Sequence, residues 1–138
     1  MLELKRGLFR LKQIANYKKQ YFTMEKMRVF LHQIYEYRKG VRSMALCTLP
    51  EECLELAKKK METNEIYYLI CPISNDRYNI FFGEKVCIDV VTRFCNKPLN
   101  RFSPEEDFIL GTMLGYSISE QCKRYCRKNR ETFTPTFA

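Results

Sequence analysis

Apolar positions along this chain change their period several times, and each change marks a candidate element. Over residues 1–22, Leu4, Leu8, Leu11 and Ala15 recur at helical spacing among lysines and arginines. That spacing predicts an amphipathic helix, weakened by Gly7. Residues 27–38, Met-Arg-Val-Phe-Leu-His-Gln-Ile-Tyr-Glu-Tyr-Arg, are rich in β-branched and aromatic side chains. They predict a strand that ends in a turn at Lys39-Gly40. Residues 42–49 predict a second strand. From Pro50 to residue 62 the pattern is helical, with Cys53, Leu54, Leu56, Ala57 and Met61 as its apolar stripe. Thr48 stands where an N-cap belongs. Glu51 and Glu52 at the start and Lys58, Lys59 and Lys60 at the end suit the helix dipole.

The apolar run at residues 65–73 predicts a strand buried on both faces. Ser74-Asn75-Asp76-Arg77 reads as a turn and residues 78–82 as the returning strand, punctuated by Gly83. Residues 84–95 predict a helix with Val86, Cys87, Val90, Val91 and Phe94 on one face, broken at Asn96-Lys97-Pro98-Leu99-Asn100. Ser103 then opens the best-marked helix. It is an N-cap with Pro104 at the first position and Glu106 at the third, the capping-box arrangement. That helix is expected to run through the 120s, with Gly115 as a bend and Ser117 or Ser119 recapping its last part. The predicted order is ββαββαα, a small α+β domain whose mostly antiparallel sheet is covered by helices. Its organisation is a basic extension over residues 1–23, one domain over 24–130, and a loose tail over 131–138. The extension reads either as an added amphipathic helix or as sequence upstream of a start at Met24.

Composition sets the class. With 138 residues, 46% apolar and 29% charged, the chain is expected to form one globular domain. It holds no run of 18 apolar residues, so no membrane-spanning segment is predicted. Basic residues interrupt the leucines at the start, so no secretory leader is expected. The seven cysteines are odd in number and scattered, which favours reduced thiols in a cytoplasm. There is no C-x-x-C, and His32 is the single histidine. Neither a metal nor any other cofactor is expected.

The net charge of +8 is unevenly placed. Residues 1–23 carry +5, residues 123–130 carry +5, and the stretch between them carries −1. Basic ends attract acidic proteins, nucleic acid or anionic surfaces, and they also simply keep a chain soluble.

Five groups of residues could carry chemistry. His32 and Glu36 fall on one face of the predicted strand with Cys47 on the next, a thiol with a base beside it. The simpler reading is a sheet histidine and a core cysteine. Glu105, Glu106 and Asp107 form an acidic triplet, which capping and the positive end of a helix explain better than a metal or acid–base site does. Gly111 and Gly115 allow a close approach to the helix, and Gly83 before a helix is a weak phosphate-binding signal. Cys122 and Cys126 lie one helical turn apart beside Lys123, Arg124 and Arg127, cations that activate thiols. Plain helix positions are the simpler reading of the pair. Basic residues interleaved with Tyr17, Tyr21, Tyr125 and Phe133 suit single-stranded nucleic acid, with no recognised binding motif behind them.

Four stretches also look familiar together: Phe30 to Arg42, Asn79 to Gly83, Pro104 to Tyr116, and Gln121 to Tyr125. They resemble a family of small bacterial proteins indexed as domain of unknown function number two thousand and twenty-three. The resemblance covers about residues 24–128, and the stretch from Glu105 to Tyr116 is its most specific part. It implies a cytoplasmic α+β domain whose gene lies beside a flavodoxin gene, and it brings no catalytic residue. Since flavodoxins are acidic, the expectation is an accessory or regulatory binding module for such a partner rather than an enzyme. Two alternatives stand beside it: a thiol- and histidine-dependent enzyme using His32, Glu36 and Cys47, and a nucleic-acid binder acting through the basic ends. Self-association is a further option. The candidate functional surface comprises His32, Glu36, Arg42, Cys47, Gly83, Glu105, Glu106, Asp107, Cys122 and Arg124.

Overall fold

The sheet is organised around its last strand. β1 (Met44–Pro50) and β2 (Tyr67–Ser74) flank β3 (Arg77–Gly83), and both pair with it in antiparallel fashion. This is a computed structural model, and it describes residues 2–129. The tail expected over 131–138 lies outside the described residues.

The expectation that residues 65–73 are buried on both faces is corrected. β2 is a half-exposed edge strand, whereas Ile80, Phe81 and Phe82 of central β3 are buried. Pro72 explains the placement. It has no N–H to give a second neighbour, and the pairing register shifts between Pro72 and Ser74.

The larger correction concerns residues 27–38. They form a helix, α2 (Arg28–Arg38), not a strand. Met27, Phe30 and Ile34 are buried while Val29 and Tyr35 are exposed. That is a helical period, and it outweighs the β-propensity of the individual residues. Gly40, at φ +78°, stops the helix. The N–H of Gly40 bonds the Tyr37 carbonyl at 3.0 Å and that of Val41 bonds the Glu36 carbonyl at 2.9 Å, a Schellman ending. Ahead of α2 runs α1 (Leu2–Lys26), the helix expected at the start of the chain, which continues past Met24.

Helix α3 (Leu54–Thr63) begins later than expected, after a 3₁₀ turn at Glu51–Cys53. Thr48 does not cap it, because β1 runs on through Pro50 and the Thr48 hydroxyl donates to Asn79 Oδ1 at 2.7 Å. In α4 (Lys85–Thr92) the buried positions are Ile88 and Val91, so the stripe predicted through Val86 and Val90 is corrected: both are exposed. The long last helix is in fact two, α5 (Pro104–Met113) and α6 (Ile118–Lys128). Gly115, at φ +80°, makes the break rather than a bend, and Ser117 recaps by accepting the Glu120 N–H. The observed order is therefore ααβαββααα: the optional first helix is present, the first predicted strand is a helix, and the last predicted helix is two.

Alternation along β1 and β3 divides the core in two. Ala45, Cys47, Leu49, Ile80 and Phe82 pack with α2 and α3, where Phe30 meets Phe82 edge-to-face at 5.4 Å between ring centroids. Met44 and Phe81 point to the other face and pack with Ile88 and Val91 of α4 and Leu110 of α5. The result is a small α+β domain with helices on both faces of a three-stranded sheet. Among the described residues, no helix is long and apolar enough to cross a membrane.

Candidate functional site

The best-built surface feature lies where α6 crosses α5. Its foundation is the predicted capping box. Ser103 Oγ accepts the Glu106 N–H at 3.1 Å, and the Ser103 N–H donates to Glu106 Oε1 at 2.9 Å. Lys97 Nζ donates to the same oxygen at 2.6 Å. These bonds, Lys97 first, hold the Glu106 carboxyl below its usual range. Next along α5, Asp107 accepts Arg124 Nε at 2.7 Å and Arg124 Nη2 at 3.0 Å, a two-pronged bond, with Lys128 Nζ at 3.1 Å. Arg124 is the main cause of the depressed Asp107 pKa, with Lys128 adding to it. Glu105 accepts the Tyr125 hydroxyl at 3.1 Å. The acidic triplet is thus spent on capping its own helix and fastening α6.

Gly111 lets the two helices meet. It is buried, and the carboxamide of Gln121 lies against its backbone, 94% buried itself. Gln121 Nε2 donates to the Asp107 carbonyl at 3.5 Å, a long bond and the one its side chain makes among the described residues. Gly115 then ends α5 in a second Schellman motif, with Tyr116 N–H on the Gly111 carbonyl at 3.0 Å.

Beside this junction lies a half-open groove of about 700 Å³. Leu46, Leu99, Phe102, Leu110 and Leu114 give it apolar walls, and Gln121, Asn100, Tyr116, Asp107, Arg124 and Lys128 give it polar groups. Of the residues expected at a functional surface, only Asp107 and Arg124 line this groove. Gln121, Lys128 and Tyr116 were not among the residues expected at that surface. The available signal was the pairing of a helical glycine with a polar residue on the next helix, which no local pattern declares.

A second cluster gathers His32, Glu36 and Arg42. They sit on α2 and the turn after it, not on a strand. His32 Nε2 lies 2.7 Å from Glu36 Oε1, and Arg42 donates to Glu36 Oε2 through Nη2 at 2.6 Å and Nε at 2.9 Å. The Schellman turn at Gly40 is what returns Arg42 to Glu36. Cys47 is separate from them. It is buried in the sheet core, its Sγ lies 4.0 Å from the Thr48 carbonyl, and burial followed by the charge of Cys53 pushes its thiol up to about 11. The structure gives no hydrogen bond between Cys47 and His32 or Glu36 among the described residues.

The remaining candidates are scattered. Gly83 sits at the end of β3 with φ +151°, and a β-carbon there would stand 2.3 Å from the Ser43 carbonyl oxygen and 2.7 Å from Met44 Cα. Close packing of the β1 start accounts for this glycine. Cys122 and Cys126 are exposed on α6. Cys95 is buried, and desolvation pushes its thiol up to about 12.

The most exposed apolar surface belongs to α1. None of its 25 residues is buried, and Leu4, Leu8, Phe9, Leu11, Ile14, Tyr17, Tyr21 and Phe22 are all exposed. Among the described residues, its last turns hold the domain, through the Lys26–Glu52 ion pair and Cys53 Sγ on the Thr23 carbonyl at 3.8 Å. Lys5, Arg6, Arg10, Lys12, Lys18, Lys19 and Lys26 stand against Glu3 and Glu25, so the helix carries +5.

The chain matches the family model described as "Protein of unknown function (DUF2023)" over residues 28–128. No curated protein matches it.

Proposed function

Because the chain belongs to the DUF2023 family, which has no activity to pass on, we propose from its own surface that it is a binding module for an acidic protein, docking through α1. One observation carries the reading: a 25-residue helix with net charge +5 keeps all of its large apolar side chains out of the core. A helix in water gains most of its stability from packing an apolar face, and among the described residues α1 buries none. Leu4, Leu8, Leu11 and Ala15 follow one another at three- and four-residue spacing and Phe22 stands two turns further on, so they share a narrow stripe suited to a groove on a partner. The cations are distributed all around the helix, with Lys18 and Lys19 interrupting the stripe between Ala15 and Phe22. A membrane-surface helix segregates its charges to one side, so this arrangement favours a protein partner. Such charges speed encounter with an acidic surface, and the leucines and phenylalanine supply the buried contact. An acidic redox protein of the flavodoxin type is the partner we propose.

The test is titration of the full chain with an FMN-loaded acidic flavodoxin. Binding should weaken strongly between about 50 mM and about 500 mM salt, as screening shortens the reach of the charges. The variant Lys5→Glu/Arg6→Glu/Arg10→Glu/Lys12→Glu should lose roughly tenfold or more in affinity, since each rim charge carries a share of the attraction. Equal binding by the variant overturns the proposal. Tighter binding of a single-stranded oligonucleotide than of the flavodoxin replaces it with the nucleic-acid reading.

A further inference from the structure

The geometry points to the α5–α6 groove as a binding site for a small amphiphilic carboxylate, with an apolar body against the leucines and its charge beside Arg124 and Lys128. No residue of α1 lines this groove, so the inference does not rest on the reading above.

Three observations converge. The first is size and lining. A space of about 700 Å³ walled by Leu46, Leu99, Phe102, Leu110 and Leu114 matches the dimensions and character of small-molecule sites. The second is charge. Arg124 and Lys128 both reach Asp107, the one acidic residue among those lining the groove, and two cations against one carboxylate leave a net +1 at its rim. Arg124 spends Nε and Nη2 on Asp107, while its Nη1 has no hydrogen-bond partner among the described residues. The ammonium of Lys128 likewise has donors to spare. The third is Gln121. Its side chain is 94% buried, yet among the described residues it makes a single long bond, to the Asp107 carbonyl at 3.5 Å. A buried carboxamide with free donor and acceptor capacity at the wall of a groove is suited to a polar head group.

The ligand class follows from these groups. One surplus positive charge matches one negative charge. A planar carboxylate accepts from Arg124 Nη1, Lys128 Nζ and the Gln121 amide together. The apolar walls call for a hydrocarbon or aromatic body rather than a sugar.

The experiment uses the full chain, isotope-labelled at leucine methyl groups, titrated with octanoate and, separately, with 1-octanol. Octanoate should give saturable shifts at Leu99, Leu110 and Leu114. Octanol should bind roughly tenfold or more weakly, because it lacks the charge-assisted bonds. Lys128→Ala should weaken octanoate several-fold and leave octanol unchanged, a split that a loss of folding does not produce. Gln121→Leu should also weaken octanoate selectively. Equal affinity for acid and alcohol overturns the inference. So do shifts confined to methyl groups outside the groove, or no saturation with millimolar octanoate.

Discussion

Gly111 and Gln121 occupy each other's space: a β-carbon on Gly111 would stand 1.4 Å from Gln121 Nε2 and 2.3 Å from its Cδ. The amide of α6 fills the volume that a side chain on α5 would otherwise take, and this contact sets how closely the two helices cross.

A substitution here turns on two opposed effects. Gly111→Ala gains about 1 kcal/mol of helix propensity, while displacing a buried carboxamide costs about 1–3 kcal/mol. The expected net result is a loss of about 1 kcal/mol in urea unfolding. In a Gln121→Ala background the obstruction is gone, and the same change should stabilise by up to about 1 kcal/mol. A change of sign between the two backgrounds is the decisive reading. An identical effect in both would mean the glycine serves something other than seating Gln121.

Asp107 couples the α5–α6 junction to pH. Its carboxyl lies below its ordinary value in the fold because Arg124 and Lys128 bond the ionised form. A group with a depressed folded pKa contributes stability above its unfolded pKa of about 3.9. That contribution is lost as pH falls through the lower, folded value. Asp107→Asn should therefore cost about 1 kcal/mol near neutrality, the upper range for a partly exposed but two-pronged pair. Urea midpoints of variant and parent should converge as pH is lowered below 4 or so. A gap that persists in acid would assign the loss to packing instead.

The thiols divide by position. Cys122 and Cys126 are exposed, whereas Cys47 and Cys95 are buried with pKa values raised to about 11 and about 12. Brief treatment of the native chain with iodoacetamide near neutral pH should label Cys122 and Cys126 and spare Cys47 and Cys95, as peptide mass mapping would reveal. The buried pair also sets an alkaline limit. Their raised pKa values mean the fold holds them neutral, so their contribution is complete below the unfolded thiol value of about 8.5. It is lost as pH rises toward the folded values. Early labelling of Cys95 under native conditions would contradict its place in the core.

What the sequence declared best was chemistry completed within a few residues. Ser103, Pro104 and Glu106 cap α5 as their spacing implies, and Ser74 to Arg77 turns β2 into β3. Local chemistry was also where the reading misled. Lys39-Gly40 suits a hairpin turn and a helix ending alike, and the aromatic and β-branched residues before it tipped the choice toward a strand. The hydrophobic spacing of Met27, Phe30 and Ile34 carried the correct answer. The groove was illegible because Leu46, Phe102, Leu110, Gln121 and Lys128 come from four separate segments, brought together only by the fold. Of the site, Asp107 and Arg124 were singled out as residues, but not as partners.

The helical reading of α2 makes its own prediction, because a strand and a helix bury different positions. Phe30 is fully buried and meets Phe82 across the core, while its neighbour Val29 is 62% exposed. Phe30→Ala removes a large buried side chain, and such truncations cost about 3–5 kcal/mol. Val29→Ala removes little buried area and replaces a β-branched residue by the best helix former, so it should be neutral or stabilising by a few tenths of a kcal/mol. In a strand Val29 would lose its β-propensity instead and the change would destabilise. Position 34 extends the argument. Ile34→Ala should fall with Phe30→Ala at about 2–5 kcal/mol, and Tyr35→Ala should stay within about 0.5 kcal/mol of the parent. Urea unfolding of these four variants separates the two periods. Large losses at 30 and 34 with small effects at 29 and 35 match a 3.6-residue repeat, the repeat that faces α2 toward β1 and β3.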